Sequence, residues 1–132
     1  MTPELRWLAW SVVLGLVQIV LAAATTTRQR PGGLQWATGA RDAPQAEPSG
    51  LAGRLTRAWK NFAETFPFFA AAVLAAHLAG RNGTLTEWGT LIYFWARLVY
   101  LPLYAAGVPW LRTLAWAVSM AGLVMVLLSL FG

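Results

Sequence analysis

The sequence predicts an all-α membrane protein, an antiparallel bundle of four transmembrane helices, on three observations. The 132-residue chain is 58% hydrophobic and only 11% charged, whereas soluble domains carry roughly 25% charged residues. Its apolar residues gather into four long runs, at about 5–24, 53–79, 87–105 and 109–130, each near the ~20 residues that cross ~30 Å of hydrocarbon as a helix. Two of the three connections are short, which makes consecutive helices antiparallel neighbours. Long runs in lipid must satisfy their own backbone polar groups, as an α-helix does. A barrel would need many short alternating strands. The chain reads as one domain, residues 1–132, set in a lipid bilayer.

The first run, Leu5 to Ala24, carries Trp7 and Trp10 at interface depth. It is longer than the roughly 7–15 residues of a signal h-region, so it reads as an uncleaved span. The connection 28–52 holds Pro31, Gly32, Gly33, Gly39, Pro44, Pro48 and Gly50 and is predicted to be irregular. The second run is polar in its first turns and apolar from Phe62 onward. Gly80-Arg81-Asn82-Gly83 is a tight turn, and Thr84 with Glu87 reads as a capping box opening the third helix. Ala106-Gly107-Val108 is the last link, and Pro109 suits the first turn of the fourth helix.

The formal net charge of +5 is read through its location and implies topology, not nucleic acid. Arg28, Arg30, Arg41, Arg54, Arg57 and Lys60 sit in or beside the first connection, and Arg97 and Arg112 flank the third. Arg6 and Arg81 alone lie on the other side. The first and third connections are therefore expected to be cytoplasmic and both termini outside, in a bacterial inner membrane. With no cysteine and a single histidine, His77, neither a thiol nucleophile nor a Cys- or His-based metal site is expected.

Ionisable residues inside the spans are the functional signal, because charge in lipid is costly and faces the bundle interior or water. Arg54, Arg57, Asn61 and Glu64 recur at helical spacing on one face that continues to Phe68, and Tyr93, Arg97, Tyr100 and Tyr104 form a second stripe. Arg112 opens the fourth helix on the same side. Glu64 and Arg97 are expected to lie close together or to line one polar pocket. Arginines, one carboxylate, one carboxamide and several phenols suit a polar anionic ligand, since Arg grips carboxylates bidentately. A plainer account makes Glu64 and Arg97 an interhelical pair, Arg54, Arg57 and Lys60 topological anchors, and Tyr93 and Tyr104 interfacial aromatics. His77 reads as packing or solvated, and Pro67 and Pro102 as kinks.

The run Arg54 to Phe68 contains R-x-x-R-A-x-x-N-x-x-E-x-x-P-F. It resembles the helix-two signature of the MAPEG superfamily, membrane-associated proteins in eicosanoid and glutathione metabolism. The long first connection, the arginine in helix three and the arginine opening helix four extend the resemblance over nearly the whole chain. The resemblance implies a homotrimer of four-helix subunits that binds glutathione, or a similar thiol, between neighbours near the cytoplasmic side. Carried over by position, Arg54, Arg57, Asn61 and Glu64 hold the tripeptide's carboxylates and amine, and Arg97 and Tyr100 complete the pocket. Arg28 at the end of helix one also reaches the ligand. Arg112 corresponds to the thiolate-stabilising arginine, with Tyr104 as its assistant. Some family enzymes have histidine where Tyr100 stands and tyrosine near Trp116, and the stretch from Tyr104 to Arg112 differs by one residue.

The implied activity is that of a glutathione-dependent transferase or peroxidase acting on an apolar electrophile or lipid hydroperoxide. No residue points to eicosanoid synthesis. The alternatives are a non-catalytic scaffold binding lipid or thiol and a small multidrug exporter. An exporter of that kind carries an embedded carboxylate in its first helix, whereas Leu5 to Ala24 offers Gln18 and no acid.

Overall fold

The structure, a computed structural model, describes residues 1–42 and 47–132. Pro44, one of the residues behind the expected irregular connection, lies outside the described residues. The described residues form five helices and no strand: α1 (Pro3–Gln29), α2 (Gly33–Thr38), α3 (Gly50–Leu78), α4 (Thr84–Ala105) and α5 (Pro109–Ser129).

Helix α1 begins with Thr2, whose hydroxyl accepts the Leu5 N–H at 3.2 Å, and Pro3 supplies a preset first-turn φ. The helix runs past Ala24 because the Thr25 hydroxyl turns back to the Leu21 carbonyl at 2.7 Å, which hides its polarity within the helix. The stretch 28–52, expected to be irregular from its Gly and Pro content, is therefore helical in part. It opens with the end of α1, contains α2 and closes with the start of α3. Gly32 at φ 79° and Gly33 at φ 40° turn the chain through backbone space open mainly to glycine. Leu34 to Ala37 then complete a helical turn.

The start of α4 also differs from expectation. Thr84 is already helical and Gly83 is the cap residue. The reciprocal bond is made by Thr86, whose hydroxyl accepts the Gly83 N–H at 2.8 Å. A tertiary contact selects this register: the buried Thr86 hydroxyl donates to Glu4 Oε1 at 2.8 Å. Glu87 remains in the first turn, where its charge suits the helix dipole.

The four long helices run alternately up and down. At one end, the loop end, the side-chain amide of Gln29 bonds both ways with the Ser49 backbone at 2.9 Å, joining α1 to α3. Midway, Gly15 admits Phe62, whose ring lies 3.0 Å from the place a Cβ would occupy. Helix α4 crosses α3 antiparallel, with the Thr65 and Tyr93 hydroxyls 3.0 Å apart. Helices α4 and α5 meet at Gly89 and Gly122, where a Cβ on either would come within 2.7 Å of the other's carbonyl oxygen. The other end, the turn end, holds Glu4 and Gly80–Gly83. The core is aromatic: Phe69 and Tyr93, both fully buried, stack with centroids 3.8 Å apart.

The outer surface is apolar. Val13, Leu16, Val17 and Val20 of α1 and Leu114, Val118, Val124 and Leu128 of α5 are exposed, the reverse of a soluble surface. Helices α1 and α5 are long and apolar enough to cross a membrane. Only 28% and 17% of their most apolar stretches are buried, so they are not the core helices of a soluble protein.

Candidate functional site

The stripe on α3 divides in the folded chain. Ala58, Phe62 and Phe69 are buried, and Asn61 and Thr65 are half-buried on the side turned to α4. Arg57, Glu64 and Phe68 are exposed along the edge of that face. A 100° step explains the division: Asn61 and Thr65 stand four residues apart, one above the other, and Glu64 falls to one side.

On α4, Tyr93, Arg97 and Tyr100 are buried and Tyr104 is half-buried. Arg97 is 1% exposed and lies between the rings of Tyr100, at 4.2 Å, and Phe62, at 5.6 Å. Its Nη1 donates to Asn61 Oδ1 at 2.9 Å. Its Nε and Nη2 have no hydrogen-bond partner among the described residues. Asn61, not Glu64, is thus the partner of Arg97. Glu64 is exposed and makes no hydrogen bond with Arg97, so the two charges do not form the expected pair.

Near the loop end, Tyr104 is in contact with two guanidiniums. Arg112 sits 4.5 Å from its ring centre, and Arg57 Nε donates to the Tyr104 hydroxyl at 3.3 Å. The Tyr100 and Tyr104 rings meet edge to face at 5.5 Å. Asn61, Tyr100, Tyr104, Arg112, Thr113 and Trp116 line a cavity of about 270 Å³, just under the ~300–1,000 Å³ of typical ligand sites. Its walls bear a guanidinium, a carboxamide, two phenols and a hydroxyl but no carboxylate. Such a lining favours an anion.

The remaining expected residues have other positions. Arg54 Nε donates to the Ala105 carbonyl at 2.7 Å, closing the C-terminus of α4, where a cation is favoured. Arg28 is exposed in the last turn of α1, at the loop end but outside the cavity lining. Three residues were not foreseen as site residues. Thr113 and Trp116 line the cavity, and Trp116 was legible as the residue one turn beyond Arg112. Thr65 fixes Tyr93, a role its spacing from Asn61 could have suggested. Among the described residues, no cluster of three or more His, Cys, Asp or Glu side chains could hold a metal ion.

The sequence profile described as the MAPEG family matches residues 7–132, which takes in α1 from Trp7 onward, all of α2 to α5 and every residue of the cavity. No curated protein matches the chain.

Proposed function

The chain belongs to the MAPEG family, and from that premise we propose that it is a membrane-bound glutathione-dependent transferase or peroxidase. The observation that carries the reading is the cationic, carboxylate-free cavity with Arg112 over Tyr104. A free thiol has a pKa of about 8.5, and an adjacent guanidinium favours its anion. Arg112 would hold the thiolate, and the Tyr104 hydroxyl, oriented by Arg57, would donate a hydrogen bond to it. The thiol proton leaves to water. The sulfur then attacks an electrophilic carbon and expels its leaving group. With a hydroperoxide, the sulfur takes the outer OH as the O–O bond breaks, the alkoxide takes a proton from water and leaves as an alcohol, and a second thiol converts the sulfenic acid to a disulfide and water.

Asn61 and Tyr100 would hold the tripeptide backbone and a carboxylate, with the Arg97 charge behind them, bonded to Asn61. Arg28, Arg54 and Arg57 stand at the loop end and Glu64 is exposed midway along α3, where a neighbouring subunit of a homotrimer would close the site over the remaining charges. All four long helices would cross the bilayer, with the loop end in the cytoplasm. The peptide would enter from water at that end and the apolar electrophile from the lipid.

The test is conjugation of glutathione to an aryl halide by detergent-purified protein. Arg112→Ala should lose about 100-fold in turnover, the scale of one removed anion-stabilising donor. Unchanged turnover would remove Arg112 from the mechanism.

A second reading is a scaffold that binds lipid or thiol without turnover. It draws on an apolar groove of about 540 Å³ between α4 and α5, walled by Leu91, Trp95, Val99, Leu111 and Val118. Stabilisation by glutathione or lipid with no conjugation by the wild type would select it. The exporter has no comparable support, since the buried acid of α1, Glu4, is bonded to Thr86 in the first turn of its helix.

A further inference from the structure

A second polar cavity lies on the far side of α3 from the first, beneath α2 at the loop end. It encloses about 280 Å³ between α1, α2 and α3. Its inner part is apolar, built by Ile19, Ala22 and Ala23 of α1 with Trp59 of α3. Its outer part is polar, with the hydroxyls of Thr26, Thr27 and Thr56 and the guanidiniums of Arg30 and Arg41. The gradient from apolar floor to cationic rim follows the axis of α1, the direction in which a bilayer passes from acyl chain to headgroup.

The rim is held in place. The Arg30 guanidinium lies 4.8 Å from the Trp36 ring centre and that of Arg41 lies 5.6 Å from it. Arg41 takes up φ 61°, a conformation rare for a residue with a side chain. Its Nε donates to the Ala37 carbonyl at 2.9 Å, and the residue lines the cavity. The Arg30 Nε is buried without a hydrogen-bond partner among the described residues. The acidic residues nearest in sequence, Asp42 and Glu47, are exposed and outside the lining.

We propose that this cavity seats the phosphate of an anionic glycerophospholipid, with the start of an acyl chain along Ile19 and Ala23. Two guanidiniums fixed on one indole offer planar forks that match phosphate oxygens. Tryptophans at this depth are typical of the membrane interface, and basic side chains beside a bilayer select anionic lipid. The site uses none of the residues assigned to thiol chemistry, so it stands or falls independently of the transferase reading.

The test uses the full chain in mixed micelles with equal phosphatidylglycerol and phosphatidylcholine, and native mass spectrometry reads the retained lipid. The wild type should keep phosphatidylglycerol about tenfold over phosphatidylcholine, a difference of about 1.4 kcal/mol. Arg30→Gln with Arg41→Gln should abolish the preference, and Arg30→Lys with Arg41→Lys should restore part of it. Ala23→Trp, which fills the floor and leaves both charges, should also release the lipid. Equal retention of the two lipids by the wild type would overturn the proposal, as would a preference that survives the double glutamine change. Soluble glycerol phosphate that raises the melting temperature as much as phosphatidylglycerol would show a free-anion site and overturn the lipid assignment.

Discussion

The buried Arg97 and the half-buried Asn61 form a bond 2.9 Å long between α4 and α3, and no other residue bonds Arg97 among the described residues. The guanidinium depends on one neutral acceptor and two flanking rings. Removing the acceptor leaves a charged group with no partner in a low-dielectric interior. Asn61→Leu should therefore cost about 1.5–3 kcal/mol, the range for hydrogen bonds to charged groups. Asn61→Leu combined with Arg97→Leu should be less harmful than the sum of the single changes, because the double variant buries no orphan charge. Unfolding in mixed micelles with a graded denaturing detergent measures both, and strict additivity would mean that the bond contributes nothing.

The contact between Gly89 and Gly122 sets how closely α4 and α5 approach. A Cβ at Gly122 would come within 2.6 Å of the Gly89 carbonyl oxygen and 2.8 Å of the Tyr93 nitrogen, and neither backbone atom can rotate aside. Gly122→Ala should force the helices apart and destabilise the bundle by about 1–3 kcal/mol, the usual cost of overpacking. The shift would pass along α4 to Tyr93 and Arg97, so ligand stabilisation should weaken as well. A variant that melts with the wild type would show that the helix pair tolerates a wider spacing.

Tyr104 tests the division of labour between ring and hydroxyl. Tyr104→Phe keeps the ring against Arg112 and removes the group that accepts from Arg57. If the hydroxyl assists the thiolate, turnover should fall about tenfold, the weight of one lost hydrogen bond, with KM for glutathione changing less. Tyr104→Leu also removes the aromatic face beneath Arg112 and should fall further. Steady-state kinetics separates these outcomes, and equal activity in the two variants would assign the whole effect to the ring.

The all-helical character was legible because four apolar runs leave few ways to satisfy a backbone in lipid. What escaped the sequence reading were features decided by contacts between distant residues. The cap of α4 passes from Thr84 to Gly83, and the reciprocal bond from Glu87 to Thr86, because Glu4, on another helix, draws the Thr86 hydroxyl inward. Helix α2 was hidden by its opening glycines, which mark a turn without revealing that a helical turn follows. On α3, periodicity grouped Asn61 with Glu64 on one face, but it cannot separate the centre of a face from its edge. The partner helix does so by offering Arg97 at the level of Asn61. Within the candidate site, the tyrosines and arginines stood out as polar groups in apolar runs, and Trp116 by its place one turn beyond Arg112, whereas Thr113 carries no such contrast.

The topology can be tested cleanly because the chain has no cysteine, so any introduced thiol is unique. Ser49, before α3, and Asn82, between α3 and α4, are both exposed and lie at opposite ends of the bundle. Arg28, Arg30, Arg54 and Arg57 crowd the end that holds Ser49, and basic residues near span ends remain cytoplasmic. Ser49→Cys should react with an impermeant maleimide in inside-out vesicles and stay unlabelled in intact cells. Asn82→Cys should give the opposite pattern. The Asn82 change removes its contact with His77, an exposed bond whose loss costs little. If both sites label from one side, α3 does not cross the membrane. If the pattern is reversed, the positive charge lies outside, and the thiol cavity would face a compartment where cytoplasmic glutathione cannot reach it.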